Sequence, residues 1–132
     1  MGSLGSNEAT LTVFGSGKPL RQFIYSQDLG RLMLWTVFHY QEVEPIILSV
    51  DEKEEITINQ AAQSVANAFM KLKPEVKFVL KNNTNYGDGQ LKKTASNLKL
   101  RKYLPDFTFT PIEEGIYKSV EWFWENYDEA RK

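Results

Sequence analysis

The sequence has no cysteine and a single histidine, His39. Without thiols it has no disulfide framework and no thiolate nucleophile. One imidazole makes a metal centre improbable. A Ser–His–acid arrangement would have to use His39, and no nucleophile motif surrounds it. His39 sits in an apolar helical stretch, where a packing or surface role is expected. No apolar run approaches the roughly 20 residues needed to span a bilayer. Met1–Thr10 is small and polar and lacks the apolar stretch of a signal peptide. Residues 1–10 read as a disordered or cloning-derived leader, and 11–132 as the domain. Excess charge is lacking as well: Lys and Arg number 16, Asp and Glu 17, for a net charge of −1. That balance gives no general attraction to nucleic acid or to an anionic membrane. A cytoplasmic location is the expectation. Asn82-Asn83-Thr84 matches a glycosylation acceptor, and with no sign of secretion it is read as chance.

Catalytic signatures are missing too. Gly15-Ser16-Gly17 opens like a dinucleotide fingerprint, but position 20 is leucine, and a proline and a strand-like stretch follow where a helix is required. Gly17-Lys18 ends like a phosphate loop, but Thr12 stands where the first glycine belongs and Pro19 where Ser or Thr belongs. No tyrosine has lysine four residues later, so the Tyr-x-x-x-Lys pair of short-chain reductases is absent.

What is present is enough apolar material, 42% of 132 residues, to build one packed domain. Leu11–Phe14 and Gln22–Tyr25 read as short strands around the turn Gly15-Ser16-Gly17-Lys18-Pro19. Asp28–Tyr40 reads as a helix. Leu29, Leu32, Met33, Val37 and Tyr40 form its stripe, while Leu34, Trp35 and Phe38 lie off it. A helix apolar almost all round is normally buried on more than one side, so the expectation is either a further covering surface or a simple central helix of the domain. Ile46–Val50 reads as a buried strand and Asp51–Glu55 as an acidic loop. Thr57 with Gln60 opens a helix as a capping box, and Lys73-Pro74 ends it. Val76–Leu80 alternates as a strand, and Lys81–Gly89 is a polar loop. A short helix capped near Ser96 ends before Pro105. Thr110-Pro111-Ile112-Glu113 supplies an N-cap, a first-position proline and a capping-box acid for the last helix. The order is β-β-α-β-α-β-α-α, one α/β domain.

Charge is uneven along this order. Lys77–Lys102 holds seven basic side chains and one acid, Asp88, whereas seven acids follow from Tyr103. Such a stretch is either a solvated face or a local anion site. Arg21 offers a planar fork of donors suited to phosphate oxygens. Asp88 lies between Gly87 and Gly89, where a backbone can approach a ligand closely and a carboxylate can accept from ribose hydroxyls or base N–H groups. Lys92 and Lys93 could neutralise a pyrophosphate. The same residues also fit an ordinary Gly-Asp-Gly turn followed by exposed lysines.

The segments LTVFGSGKPLR (Leu11–Arg21), QFIYSQDL (Gln22–Leu29), EPIILSV (Glu44–Val50) and DGQLKKTASN (Asp88–Asn97), with YLPDF, FTPIEEG and WFWENYDEARK in the tail, resemble the C-terminal region of GDP-L-fucose synthases. These are GDP-4-keto-6-deoxy-D-mannose 3,5-epimerase-4-reductases of the extended short-chain dehydrogenase/reductase class. The G-x-G-x-P-x-R-x-F turn marks the class, and D-G-x-x-x-K-x-x-S with the tail makes the match specific. The resemblance implies a small C-terminal substrate-binding domain from a homodimeric enzyme of nucleotide-sugar biosynthesis. NADPH and the catalytic residues would belong to an N-terminal Rossmann half that this chain does not carry, so the chain alone would bind no cofactor and show no activity. It implies GDP-sugar contacts by Arg21, Asp88 and Lys93. Phe14 would contact the substrate where the family typically has tryptophan, with less ring area and no indole donor. Two other expectations remain: the substrate domain of another nucleotide-sugar epimerase or dehydratase, and a non-catalytic interaction module of the same fold.

Overall fold

β1 (Glu8–Phe14) carries the alternation of a half-covered strand: even positions face solvent, Ala9 and Leu11 are half-buried and Val13 is buried. It is the first element of a computed structural model that describes residues 7–131. β1 pairs in parallel with β4 (Lys77–Asn83), from Glu8↔Lys77 to Phe14↔Asn83. The pairing begins at Glu8, three residues before the expected start, because Lys77–Val79 offers these residues a ladder. Glu8–Thr10 thereby leave the stretch read as leader, while residues 1–6 of it lie outside the described residues.

The expected strand at Gln22–Tyr25 does not form. The strand is instead β2 (Leu20–Arg21), antiparallel to β3 (Ile56–Thr57). Gln22 spends its amide on two backbone segments: Nε2 donates to the carbonyls of Val50 at 3.0 Å and Ala95 at 3.1 Å, and Oε1 accepts from the Ala95 N–H at 2.7 Å. Ile46–Val50 forms no strand and has no ladder partner among the described residues. The element order of the sequence reading therefore holds, with Ile56–Thr57 as its third strand. The strands flanking the Gly/Pro turn pair outward, with β4 and β3, and not with each other.

α2 (Ile58–Leu72) starts where the sequence says it should. The Thr57 hydroxyl accepts from Gln60 N at 3.1 Å, and Gln60 Oε1 accepts from Thr57 N at 2.8 Å. α2 packs against β1 and β4 on one side and α4 (Ile112–Glu125) on the other. Phe69 stacks on Phe78 at 5.4 Å and meets Trp124 edge-on at 6.5 Å. Val13, Ala66, Ala68 and Val120 are buried in these layers.

α1 (Ser26–His39) is covered on one side only. Leu32 is fully buried, whereas Met33, Leu34, Val37 and Phe38 are 54–75% exposed and follow one another along the helix as a stripe. His39 ends the helix, exposed. Near its start Asp28, 3% exposed, accepts from Thr110 N at 2.7 Å and from the Thr110 hydroxyl at 3.0 Å. That commitment explains why Thr110 does not cap α4, as its sequence context suggests. The N-cap is Pro111, with no side-chain cap bond. α3 (Leu98–Tyr103) begins at Asn97, whose amide donates to Ser49 O and Asp51 Oδ1, so no side chain of Asn97 caps it. Ser96 Oγ takes the Leu98 N–H at 3.4 Å.

α3 also delivers Arg101 to Asp51. Nε and one terminal nitrogen each reach a different Asp51 oxygen at 2.9 Å, and the other terminal nitrogen donates to the Phe107 carbonyl at 2.6 Å. Hydrogen bonds from Arg101, then Asn97, hold the Asp51 carboxyl down at about 2. This pair ties the acidic loop, α3 and the Pro105–Thr110 segment together. Among the described residues no helix is long and apolar enough to cross a membrane.

Candidate functional site

The end of β1, the Gly/Pro turn and the loop after β4 meet at one edge of the molecule. Gly15 N donates to Asn83 O at 2.9 Å, carrying the β1–β4 ladder into the turn. Gly15 and Gly17 then adopt φ of 89° and 72°, a region that suits glycine. Side chains close in on both. A Cβ on Gly15 would stand 2.5 Å from Asp88 Oδ1, and one on Gly17 would collide with the Asn59 amide. The turn's carbonyls are also taken: Gly17 O and Pro19 O accept from the first N–H groups of α2, Asn59 N and Ile58 N, each at 3.0 Å. These bonds satisfy two of the donors a helix start leaves open.

Asp88 is the clasp between loop and turn. Oδ1 accepts from Ser16 N at 2.8 Å and Oδ2 from Ser16 Oγ at 2.6 Å. The Ser16 hydroxyl, then its N–H, holds the carboxyl below the usual aspartate range, so Asp88 is ionised at neutral pH. The next residues run as a strap beside β2. Leu20 N donates to Leu91 O at 2.8 Å, and Arg21 donates to Gln90 O at 2.8 Å. Lys92 Nζ lies 3.1 Å from Glu55 Oε1, and Thr94 Oγ1 donates to Glu55 Oε2 at 2.6 Å.

The site residues named from the sequence thus fall at one edge, with different degrees of freedom. Arg21 is half-buried, and a second guanidinium nitrogen lies next to Gly89, 3.6 Å from where its Cβ would be. None of the ion pairs among the described residues uses Arg21, Lys18 or Lys93. Lys93 is exposed. Lys92 is instead committed to Glu55. Phe14 is 67% exposed and meets Tyr86 edge-to-face with centroids 4.8 Å apart. The sequence reading missed Tyr86, Ser16, Asn59 and Asn82. Asn82 Nδ2 reaches Gly15 O at 3.2 Å and Asn59 Oδ1 at 3.0 Å, so the amide of the glycosylation-like triplet is built into the turn. A lone aromatic inside the polar loop was the available signal for Tyr86. Nothing local marked Asn59, which comes from a different element.

No family model matches the chain. Curated relatives do. A probable GDP-L-fucose synthase from Drosophila melanogaster is 55% identical over 126 residues, covering 96% of this chain and 38% of that protein. A GDP-L-fucose synthase from Dictyostelium discoideum is 50% identical over 126 residues with the same coverage, 96% and 38%. This chain is related to the GDP-L-fucose synthases. It spans little more than a third of the length of these relatives. A GDP-L-fucose synthetase from Naegleria fowleri superimposes with a TM-score of 0.85 at 48% identity, over 93% of this chain and 36% of that one. A second structure of the Naegleria protein is bound to NADP. The mixed α/β architecture matches the C-terminal part of an extended short-chain reductase.

The GDP-L-fucose synthase relationship raises the question of whether NADP fits the residues described here. The Gly15-Ser16-Gly17 turn does not suit it. Its glycine space is filled by Asp88 and Asn59, its following residues enter a strand, and the α2 N–H groups beside it are spent on its own carbonyls. Among the described residues no group of three or more His, Cys, Asp or Glu side chains could hold a metal.

Proposed function

We propose that this chain is the GDP-sugar-binding portion of a longer NADPH-dependent epimerase-reductase that converts GDP-4-keto-6-deoxy-D-mannose to GDP-L-fucose. The observation that carries the proposal is Arg21: a half-buried guanidinium with no carboxylate partner among the described residues, beside Gly89, itself next to the Asp88 clasp. A buried or half-buried cation is normally paired. Here two backbone carbonyls hold one terminal nitrogen and leave the rest of the fork for an anion. Lys93 and Lys18 add exposed positive charge, and Phe14 supplies an aromatic face for the base. In this reading Asp88 acts first as the clasp that shapes the turn, with its remaining lone pairs open to the nucleotide.

The hydride-transfer and epimerisation chemistry, and the NADPH site, belong to the rest of the longer protein. The bare stripe Met33, Leu34, Val37 and Phe38 supports that view, because it is a surface that gains by being covered. The chain by itself is expected to give no nicotinamide-dependent turnover in an absorbance assay at 340 nm, and a measurable rate would overturn this division of labour.

Isothermal calorimetry with GDP tests the proposal. Binding is expected to be weak, since part of the pocket lies elsewhere. Arg21→Ala should weaken it roughly 10- to 100-fold, the loss expected for hydrogen bonds to a charged group. Equal affinity in both proteins would remove Arg21 from the site.

A further inference from the structure

Tyr86 is the one large aromatic in the polar stretch between β4 and the strap, and it is 57% exposed. A scattered exposed aromatic needs no explanation. Tyr86 is not scattered. Its ring packs on Phe14, itself 67% exposed, with the planes inclined at 64°. The segment that carries it is tied on both sides. Asn85 N donates to Asn83 Oδ1 at 3.2 Å, and Asp88, two residues on, is clasped to Ser16. Phe14 is fixed from the other direction by the β1–β4 ladder, opposite Asn83. An edge-to-face pair of this kind makes a corner: one ring offers an open π-face, the other bounds it. Arg21, which joins no ion pair among the described residues, follows the same turn.

We propose that Tyr86 is a second aromatic residue of the nucleobase subsite, forming with Phe14 the wall against which a purine stacks while the diphosphate runs toward Arg21. The inference deepens the reading of the site as a GDP-sugar pocket and rests on it. It assigns the work of one larger ring to two smaller ones held at an angle. Stacking is indifferent to the ring's hydroxyl, so the contribution of Tyr86 depends on ring area.

The test is GDP titration of the 132-residue chain and three variants. Tyr86→Ala is expected to weaken GDP binding about tenfold, within the range found for loss of a base-stacking aromatic. Tyr86→Phe should stay within about twofold of wild type, since it keeps the ring. Tyr86→Trp should bind at least as tightly, and the emission it adds should be quenched by GDP. That readout requires contact and would not move if Tyr86 only propped the loop. Wild-type affinity in the alanine variant, an equal loss in the phenylalanine variant, or an added tryptophan blind to GDP would each overturn the inference alone. No GDP binding by the wild-type chain would instead sink the underlying functional reading, and this inference with it.

Discussion

Replacing Arg101 with alanine is expected to destabilise the chain by about 3 kcal/mol, the larger part being the cost of stranding a partly buried carboxylate. Asp51 and Arg101 retain only 27% and 24% side-chain exposure, so water cannot fully replace the lost partner. The substitution removes two charge-assisted bonds to Asp51 and the bond to the Phe107 carbonyl. In thermal denaturation this should lower Tm by roughly 10 °C for a domain of this size. A shift under 2 °C would show that the pair is no more than a surface contact.

The same pair gives a signed pH dependence. The Asp51 carboxyl is lowered from 3.8 to about 2 in the folded chain, with the Arg101 hydrogen bond the leading cause. A depressed folded value means that the stabilisation is fully present above the unfolded value and is lost as pH falls through the folded one. The group therefore contributes about 2 kcal/mol near neutrality, and this disappears between about pH 4 and pH 2. Asp51→Asn should lack that component. Urea titrations of wild type and variant should converge as pH falls across this window, and a gap that stays constant would refute the linkage.

Gly17→Ala is expected to be comparably damaging for a different reason. A left-handed backbone costs an L-residue roughly 1–2 kcal/mol before any contact is considered. The added methyl also displaces the Asn59 amide, which donates to Ser16 O at 3.2 Å and accepts from Asn82 at 3.0 Å. Together these should cost about 3 kcal/mol and loosen the turn that bears Phe14 and Arg21. Adding Asn59→Ala should recover part of the loss by removing the obstacle, and a double variant no more stable than Gly17→Ala would show that backbone strain alone is responsible. Gly30→Ala should go the other way. Nothing lies within 4 Å of its added carbon, and it sits inside α1. Alanine there should stabilise by about 0.5–1 kcal/mol. Chemical denaturation of the two single variants would therefore give opposite signs for one and the same substitution.

Local chemistry made some elements legible and others not. α2 was readable because its capping box is complete within four residues and Pro74 closes it. Thr110 carried an equally good capping signal, but a buried Asp28 some eighty positions away holds its hydroxyl and its N–H, and α4 starts without it. Ile46–Val50 has the β-branched content of a strand, yet a strand also needs a neighbour, and the segment has none among the described residues. Leu20–Arg21 formed a strand that its composition did not announce, because Ile56–Thr57 lies beside it.

The site divides in the same way. Arg21, Asp88, Lys93 and Phe14 stood out as residue types suited to a nucleotide, and their chemistry belongs to each side chain wherever it sits. Which cation is free was decided by folding: Glu55 takes Lys92 and leaves Lys93 exposed. Folding also gave Asp88 its first task, because Ser16 is brought to it from 72 positions away. Composition and short-range pattern determined the mixed α/β character and offered residue types suited to a nucleotide, since propensity and capping act locally. Tertiary structure alone decided which polar groups are consumed by one another and which remain for a ligand, because a hydrogen bond or ion pair depends on distance in space and not on distance along the chain.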